Sequence, residues 1–203
     1  YISGKQQGLW TAYFEETGIK KEEAYFKDGV QQGLWTEWFN DGQKKRERFF
    51  TNGERDSVWT TWYENGNKKL LATYSKGKLN GRYTSWYKDG IIKEKHGNYL
   101  NNKKDNKWTY WSNKGQKIEE VNYNNGIHNG AHIQWFDDKS DQHKKFHVNY
   151  KDGKKDGSWY YWYSTGIDSI QSNYKNDVKD GHWIWWRSNG LKDKEGHFKN
   201  EKK

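Results

Sequence analysis

The stretch DGVQQGLWTEWFNDG, Asp28 to Gly42, sets two tryptophans three residues apart between glycine-bearing borders. The chain keeps repeating it. DGKKDGSWYYWYSTG (Asp152 to Gly166) is a second version, and NGERDSVWTTWYENG (Asn52 to Gly66) is a third with Ser57 in place of the inner glycine. Aligned on the first glycine, equivalent residues fall at Gly4, Gly29, Gly53, Gly77, Asn102, Gly126, Gly153 and Asp177, in steps of 25, 24, 24, 25, 24, 27 and 24 residues. A fixed period of this kind marks a repeat architecture. The whole chain, 1–203, reads as one array of eight units, with HFKNEKK (His197 to Lys203) opening a ninth.

After glycine, Asn and Asp tolerate a left-handed backbone best, so this column predicts a turn position with positive φ. Four residues on stand Gly8, Gly33, Ser57, Gly81, Asn106, Gly130, Gly157 and Gly181. This column is nearly always small, as expected where a side chain would block a bulge or a packing neighbour. A second turn carries DG, NG, KG or TG at Gly42, Gly66, Gly90, Gly115, Gly166 and Gly190, with Gly18 one residue late. These read as hairpin-turn dipeptides.

The segments between the turns have a length suited to strands and too short for stable helices. Each unit is therefore predicted to be a β-hairpin, and the chain an all-β, single-layer antiparallel sheet or solenoid of about eight hairpins of ~24 residues. Sixteen strands at about 4.8 Å each would make a ribbon on the order of 75 Å long, with terminal strands as open edges.

Tryptophan replaces the usual aliphatic core. Apolar residues make up 31% of the chain and aromatic residues 18%, so rings must carry the packing. That aromatic content also separates the chain from disordered polar sequences. One column of the first strand holds Trp10, Trp35, Trp59, Tyr83, Trp108, His132, Trp159 and Trp183. Three residues on is a purely aromatic column: Tyr13, Trp38, Trp62, Trp86, Trp111, Trp135, Trp162 and Trp186. Because strand side chains alternate, an offset of three sends the two columns to opposite faces. Aromatic ladders are expected on both. The second strand ends in Tyr1, Phe26, Phe50, Tyr74, Tyr99, Tyr123, Tyr150, Tyr174 and Phe198. Two residues earlier stand Ala24, Arg48, Ala72, Gly97, Val121, Val148, Ser172 and Gly196, all but Arg48 small enough to leave room for a neighbouring indole.

With these columns in place, YKDGKKDGSWYYWYSTG (Tyr150 to Gly166) resembles the MORN-repeat variant family, whose unit runs Y-x-x-G-x-x-x-G-x-W-x-x-W/Y-Y-x-x-G. The resemblance covers essentially the whole chain. It implies an elongated sheet of hairpins bent into a groove and a non-enzymatic role in binding or scaffolding. Bacterial members are often antitoxin components, others belong to exported or surface proteins, giant-virus proteins carry similar arrays, and MORN repeats have been credited with phospholipid binding. Unit six departs from the pattern: it has His132 for Trp, lacks the second turn glycine and carries about three extra residues. Unit five has Ser112 and unit eight Arg187 in the aromatic doublet. An irregular unit is where a binding loop would map, which singles out His132, His143 and His147.

Nothing in the residues points to catalysis. There is no cysteine for a disulfide or thiolate site. The pairs His128/His132 and His143/His147 have helical spacing, whereas i and i+4 in a strand lie about 13 Å apart, so no metal is expected. Glu15/Glu16 and Glu119/Glu120 are sequence neighbours and would point to opposite faces in strands, a poor geometry for paired-carboxylate hydrolysis. No cofactor is implied, and the chain is expected not to be an enzyme.

The net charge is +9. It divides evenly, 17 − 13 = +4 over 1–101 and 19 − 14 = +5 over 102–203, and many lysines sit beside glutamates as on a solvated strand face. No apolar run approaches the roughly 18 residues of a membrane span. No signal peptide is visible, and Tyr1 in place of methionine fits a processed or truncated product, which leaves export open. An exported or bacterial surface protein is favoured over a cytoplasmic one, with a giant-virus protein as a further source.

The leading expectation is a protein-binding or scaffold module presenting Trp35, Trp38, Trp59, Trp62, Trp86, Trp108, Trp111, Trp135, Trp159 and Trp162, most of whose rings pack on the next hairpin. Glycan or cell-wall binding by exposed indoles is the second expectation. Anionic lipid or nucleic-acid binding through lysines is the third. Self-association at the open edges is a further expectation.

Overall fold

A computed structural model, describing residues 4–137 and 143–199, presents the repeats as β-hairpins. Tyr1 and residues 138–142 of unit six lie outside the described residues. Two compact units divide the chain, Tyr1–Lys103 and Lys104–Lys203. In the first, β1 (Gly8–Tyr13) pairs with β2 (Lys20–Lys27), β3 (Val30–Trp38) with β4 (Lys44–Thr51), β5 (Glu54–Trp62) with β6 (Lys68–Ser75), and β7 (Lys78–Trp86) with β8 (Lys93–Leu100). In the second, β9 (Lys103–Trp111) pairs with β10 (Lys117–Asn124) and β11 (Ile127–Trp135) with β12 (Lys144–Lys151). Two short leaders follow, β13 (Lys154–Lys155) and β16 (Val178–Lys179); the hairpins after them are β14 (Gly157–Trp162) with β15 (Asp168–Lys175) and β17 (Gly181–Trp186) with β18 (Lys192–Phe198). Within each unit successive hairpins also pair antiparallel, as β2 does with β3 and β10 with β11.

The first turn column explains this stacking. Asp28 and Gly29 both have positive φ, 53° and 79°, which makes a two-residue turn whose twist matches antiparallel strands. The Gly29 N–H donates to the Gln6 carbonyl at 2.9 Å, Gly53 to Gln31 at 2.9 Å, and Gly153 to His128 at 2.9 Å. Each turn thus fastens to the repeat before it.

The second turn is not the two-residue hairpin expected from its dipeptides. Phe39 N–H donates to the Gln43 carbonyl at 2.8 Å and Gly42 N–H to the Phe39 carbonyl at 3.0 Å. Gly42 (φ 85°) is left-handed and Asp41 is not. The reason is local: the Asp41 carboxylate accepts the Gln43 N–H at 2.9 Å, which holds a longer loop.

The inner small column needs conformation more than space. All eight residues have positive φ, including Ser57 at 56° and Asn106 at 56°. A Cβ on Gly8 or Gly33 would meet nothing within 4 Å, whereas on Gly81 it would lie 3.3 Å from the Thr73 side chain. These residues form bulges: β2 advances two residues between the pairs Tyr25↔Gln32 and Glu23↔Thr36 while β3 advances four.

One face of each unit carries a ladder of rings. Trp35 meets Phe50 at 5.9 Å between centroids, Phe50 meets Trp59 at 5.4 Å, and Trp59 meets Tyr74 at 4.6 Å. In the second unit Tyr150, Trp159, Tyr174, Trp183 and Phe198 succeed one another at 5.1 to 5.5 Å. Such pairs add about 0.5–1.5 kcal/mol each beyond area burial. Ala24, Ala72, Val121, Val148 and Ser172 are buried, as the large-beside-small pattern predicts. Burial also pushes the Tyr161 hydroxyl up to about 12.

Trp162 stacks with Tyr160, while Trp159 meets Tyr161, so the two tryptophan columns do face opposite ways. On the second face cations contribute to the cover. Lys20 lies over Trp38 at 5.8 Å, Lys117 over Trp135 at 5.5 Å and Lys144 over Trp162 at 5.9 Å, each lysine coming from the preceding hairpin.

Candidate binding surfaces

Much of the aromatic ladder is structural, and a column of cations completes it. Arg55 lies 5.0 Å over Trp59, Lys104 4.9 Å over Trp108, Lys155 4.7 Å over Trp159 and Lys179 4.9 Å over Trp183. Each stands two residues after a first-turn residue, and each also covers the ring that ends its repeat's second strand. The sequence holds the signal as a column: Gln6, Gln31, Arg55, Leu79, Lys104, His128, Lys155 and Lys179. Its mixed character hides it among solvent-facing lysines. With cation and neighbours in place Trp108 is 0% exposed and Trp159 4%, so neither has a ring face left for a sugar. Trp35, Trp38, Trp59, Trp62, Trp86, Trp111, Trp135 and Trp162 are half-buried.

The irregular unit brings His128 and His132 together, contrary to the separation of about 13 Å expected for a regular strand. Their ring centroids lie 5.4 Å apart. The bulge at Gly130 (φ 96°) is the cause: Val121 pairs with His132 and Tyr123 with His128, so four residues on β11 span two on β10. His132 Nε2 lies 2.7 Å from Glu119 Oε1, and burial, followed by His132 itself, holds the His128 imidazole below its ordinary value. The pair occupies the place of Lys104/Trp108 and Lys155/Trp159 in neighbouring repeats. His147 pairs with Ile133 and so faces away from His132, and His143 Nδ1 lies 3.1 Å from the Ser164 carbonyl. Among the described residues no group of three or more His, Asp or Glu is placed to hold a metal ion.

A different surface stands out on the first unit. Leu9, Tyr25, Leu34, Phe49 and Val58 keep between 37% and 66% of their area exposed. Leu9 pairs with Tyr25 and Leu34 with Phe49, on the face opposite Trp10 and Trp35. The equivalent pair is Val58 with Thr73 in the third hairpin and Arg82 with Asn98 in the fourth. In the second unit it is polar or small: Ala131 with Asn149, Ser158 with Asn173 and His182 with His197. Those hairpins fold alike without an apolar pair, so packing does not require the stripe.

Hairpins of one design, fastened turn to strand and filled by rings, define an antiparallel β-hairpin repeat protein. Residues 31–52, 55–76 and 79–101, three consecutive repeats of the first unit, match the model of the MORN repeat variant. No curated protein matches the chain. The family consists of non-catalytic repeat modules that bind proteins or membranes.

Proposed function

We propose that the chain is a non-catalytic docking module that engages a protein partner through the apolar stripe of its first unit. The observation that carries this reading is the restriction of Leu9, Tyr25, Leu34, Phe49 and Val58 to the first three hairpins. Exposed apolar groups grouped on one surface mark interaction sites, and aromatic members are favoured anchors. The burial of Trp108 and Trp159 weighs against a continuous glycan-stacking ladder. The even spread of the charge weighs against a nucleic-acid face.

The test compares the full chain with a variant carrying Tyr25→Ser, Leu34→Ser and Phe49→Ser in cross-linked capture from cells that make the protein. A discrete partner recovered by the natural sequence and lost in the variant, with unchanged circular dichroism, is expected. Equal recovery by both would sink the proposal.

A further inference from the structure

We infer that the groove between the second and third hairpins of the first unit receives an acidic, extended segment of the protein partner, with carboxylates seated on lysines that lie over aromatic rings. The inference rests on the protein-docking reading. The groove, about 490 Å³, is lined among others by Phe39, Lys45, Thr61, Tyr63, Lys69 and Lys88. Arg46, Thr61 and Leu70, which also line it, are register partners and share the face of Trp59.

The lysines are arranged as a series. Lys45 Nζ lies 5.5 Å from the Phe39 ring and Lys69 Nζ 5.3 Å from the Tyr63 ring, and one repeat earlier Lys21 lies 5.9 Å from Phe14. Other cations nearby already have carboxylate partners: Lys20 has Glu23, Lys44 has Glu47, and Arg46 shares Glu37 with Arg48. Among the described residues Lys21, Lys45, Lys69 and Lys88 form no ion pair, so their charge is available to a ligand.

The floor is built before any ligand arrives. The Tyr63 hydroxyl donates to the Trp86 carbonyl at 2.8 Å, and the Asn65 and Asn67 side-chain amides donate to the Lys88 carbonyl at 2.9 and 3.1 Å. A groove held in this way spends little entropy on ordering itself. Nor does the hairpin need the lysine-on-ring pair to fold. The same two positions hold Ser112 and Ile118 in one repeat, Tyr163 and Ser169 in another, and Arg187 ion-paired with Asp193 in a third.

Spacing and charge select the occupant. Equivalent lysines in successive hairpins are two strands apart, about 9.6 Å, close to the ~10 Å covered by three residues of an extended chain. One carboxylate every third residue would meet one lysine per repeat. Glu15, Glu16 and Glu64 stand among these lysines at the same edge. A uniformly charged phosphate polymer or an anionic bilayer would confront those carboxylates, whereas a peptide places neutral residues opposite them.

The experiment is fluorescence anisotropy of the full chain with a labelled nonapeptide of three Glu-Leu-Ser units, the matching Gln-Leu-Ser peptide, and phosphatidylserine vesicles. The glutamate peptide should bind saturably and more tightly than the glutamine peptide, and more weakly by about tenfold or more to a Lys45→Glu/Lys69→Glu variant. Lys45→Gln/Lys69→Gln, a milder change to the fold, should show an intermediate loss. The Tyr25/Leu34/Phe49 variant should bind the peptide unchanged. Equal binding of the two peptides, indifference to both lysine variants, or vesicles bound through these lysines in preference to the peptide would each overturn the inference. If peptide binding fails while partner capture still depends on the stripe, the groove inference falls and the docking reading stands.

Discussion

The guanidinium of Arg48 lies 4.5 Å from the centroid of the Trp35 ring, in a column that every other repeat fills with a small residue. It lies 5.4 Å from Trp59 as well, and its Nη2 is 2.6 Å from Glu37 Oε1. A large cation fits here because its plane can share the gap between two indoles while a carboxylate holds its edge.

Replacing Arg48 by the Ala of neighbouring repeats should therefore lower stability, by about 1–3 kcal/mol, although it restores the consensus. Thermal unfolding of Arg48→Ala, Glu37→Ala and the double variant checks this. Additive losses would show that the pair is not coupled.

Ser57 sits at φ 56° where most repeats use glycine. Ser57→Gly should stabilise the first unit by up to about 1 kcal/mol, and Gly33→Ala should destabilise it by about 1–2 kcal/mol despite open space around a new Cβ. Urea titration of both variants is the measurement. A neutral Gly33→Ala would mean that the bulge tolerates an ordinary side chain.

Trp108 is fully buried, with Lys104 over its ring and Tyr110 beside it, so Trp108→Ala should cost about 3–5 kcal/mol. Trp62, half-buried on the other face, should cost less. Calorimetry that ranked the two equally would contradict this division of labour.

The second unit should lose stability in acid. Burial, and after it the neighbouring His132, holds His128 below its ordinary value, and burial does the same for His147. The folded state prefers both neutral, so the stability they contribute is complete above the unfolded value near 6.5 and is lost as pH falls through the folded values. Melting followed by circular dichroism should shift downward by several degrees between about pH 7 and pH 5. Lys104 and Glu119 also act on His128, in opposite senses. His128→Lys with His132→Trp, which restores the neighbouring repeats' pair, should flatten much of that slope, leaving the parts due to His147 and to His96 of the first unit, which burial also holds below its ordinary value.

The hairpins, turn column and large-beside-small packing were legible because each is a local demand repeated eight times. Gly29 and Asn102 share a left-handed turn, so their column announces itself. The second turn departs from its dipeptide because the Asp41 side chain, not the DG pair alone, sets the loop. The cation column was missed because Lys104, Lys155 and Lys179 look like any solvated lysine until their rings are in place. The stripe was missed because Leu34 and Phe49 belong to different strands and become neighbours only through register.

The sequence by itself determined the repeat, its period, its strands and the alternation that sends Trp35 and Trp38 to opposite faces, since these follow from backbone conformation and a two-residue side-chain period. Tertiary structure alone decided which rings are sealed, where His128 meets His132, and which lysines remain without an ion-pair partner. Those outcomes depend on bulges and on pairing between hairpins, where residues twenty or so positions apart come into contact and a shift of register would change every neighbour.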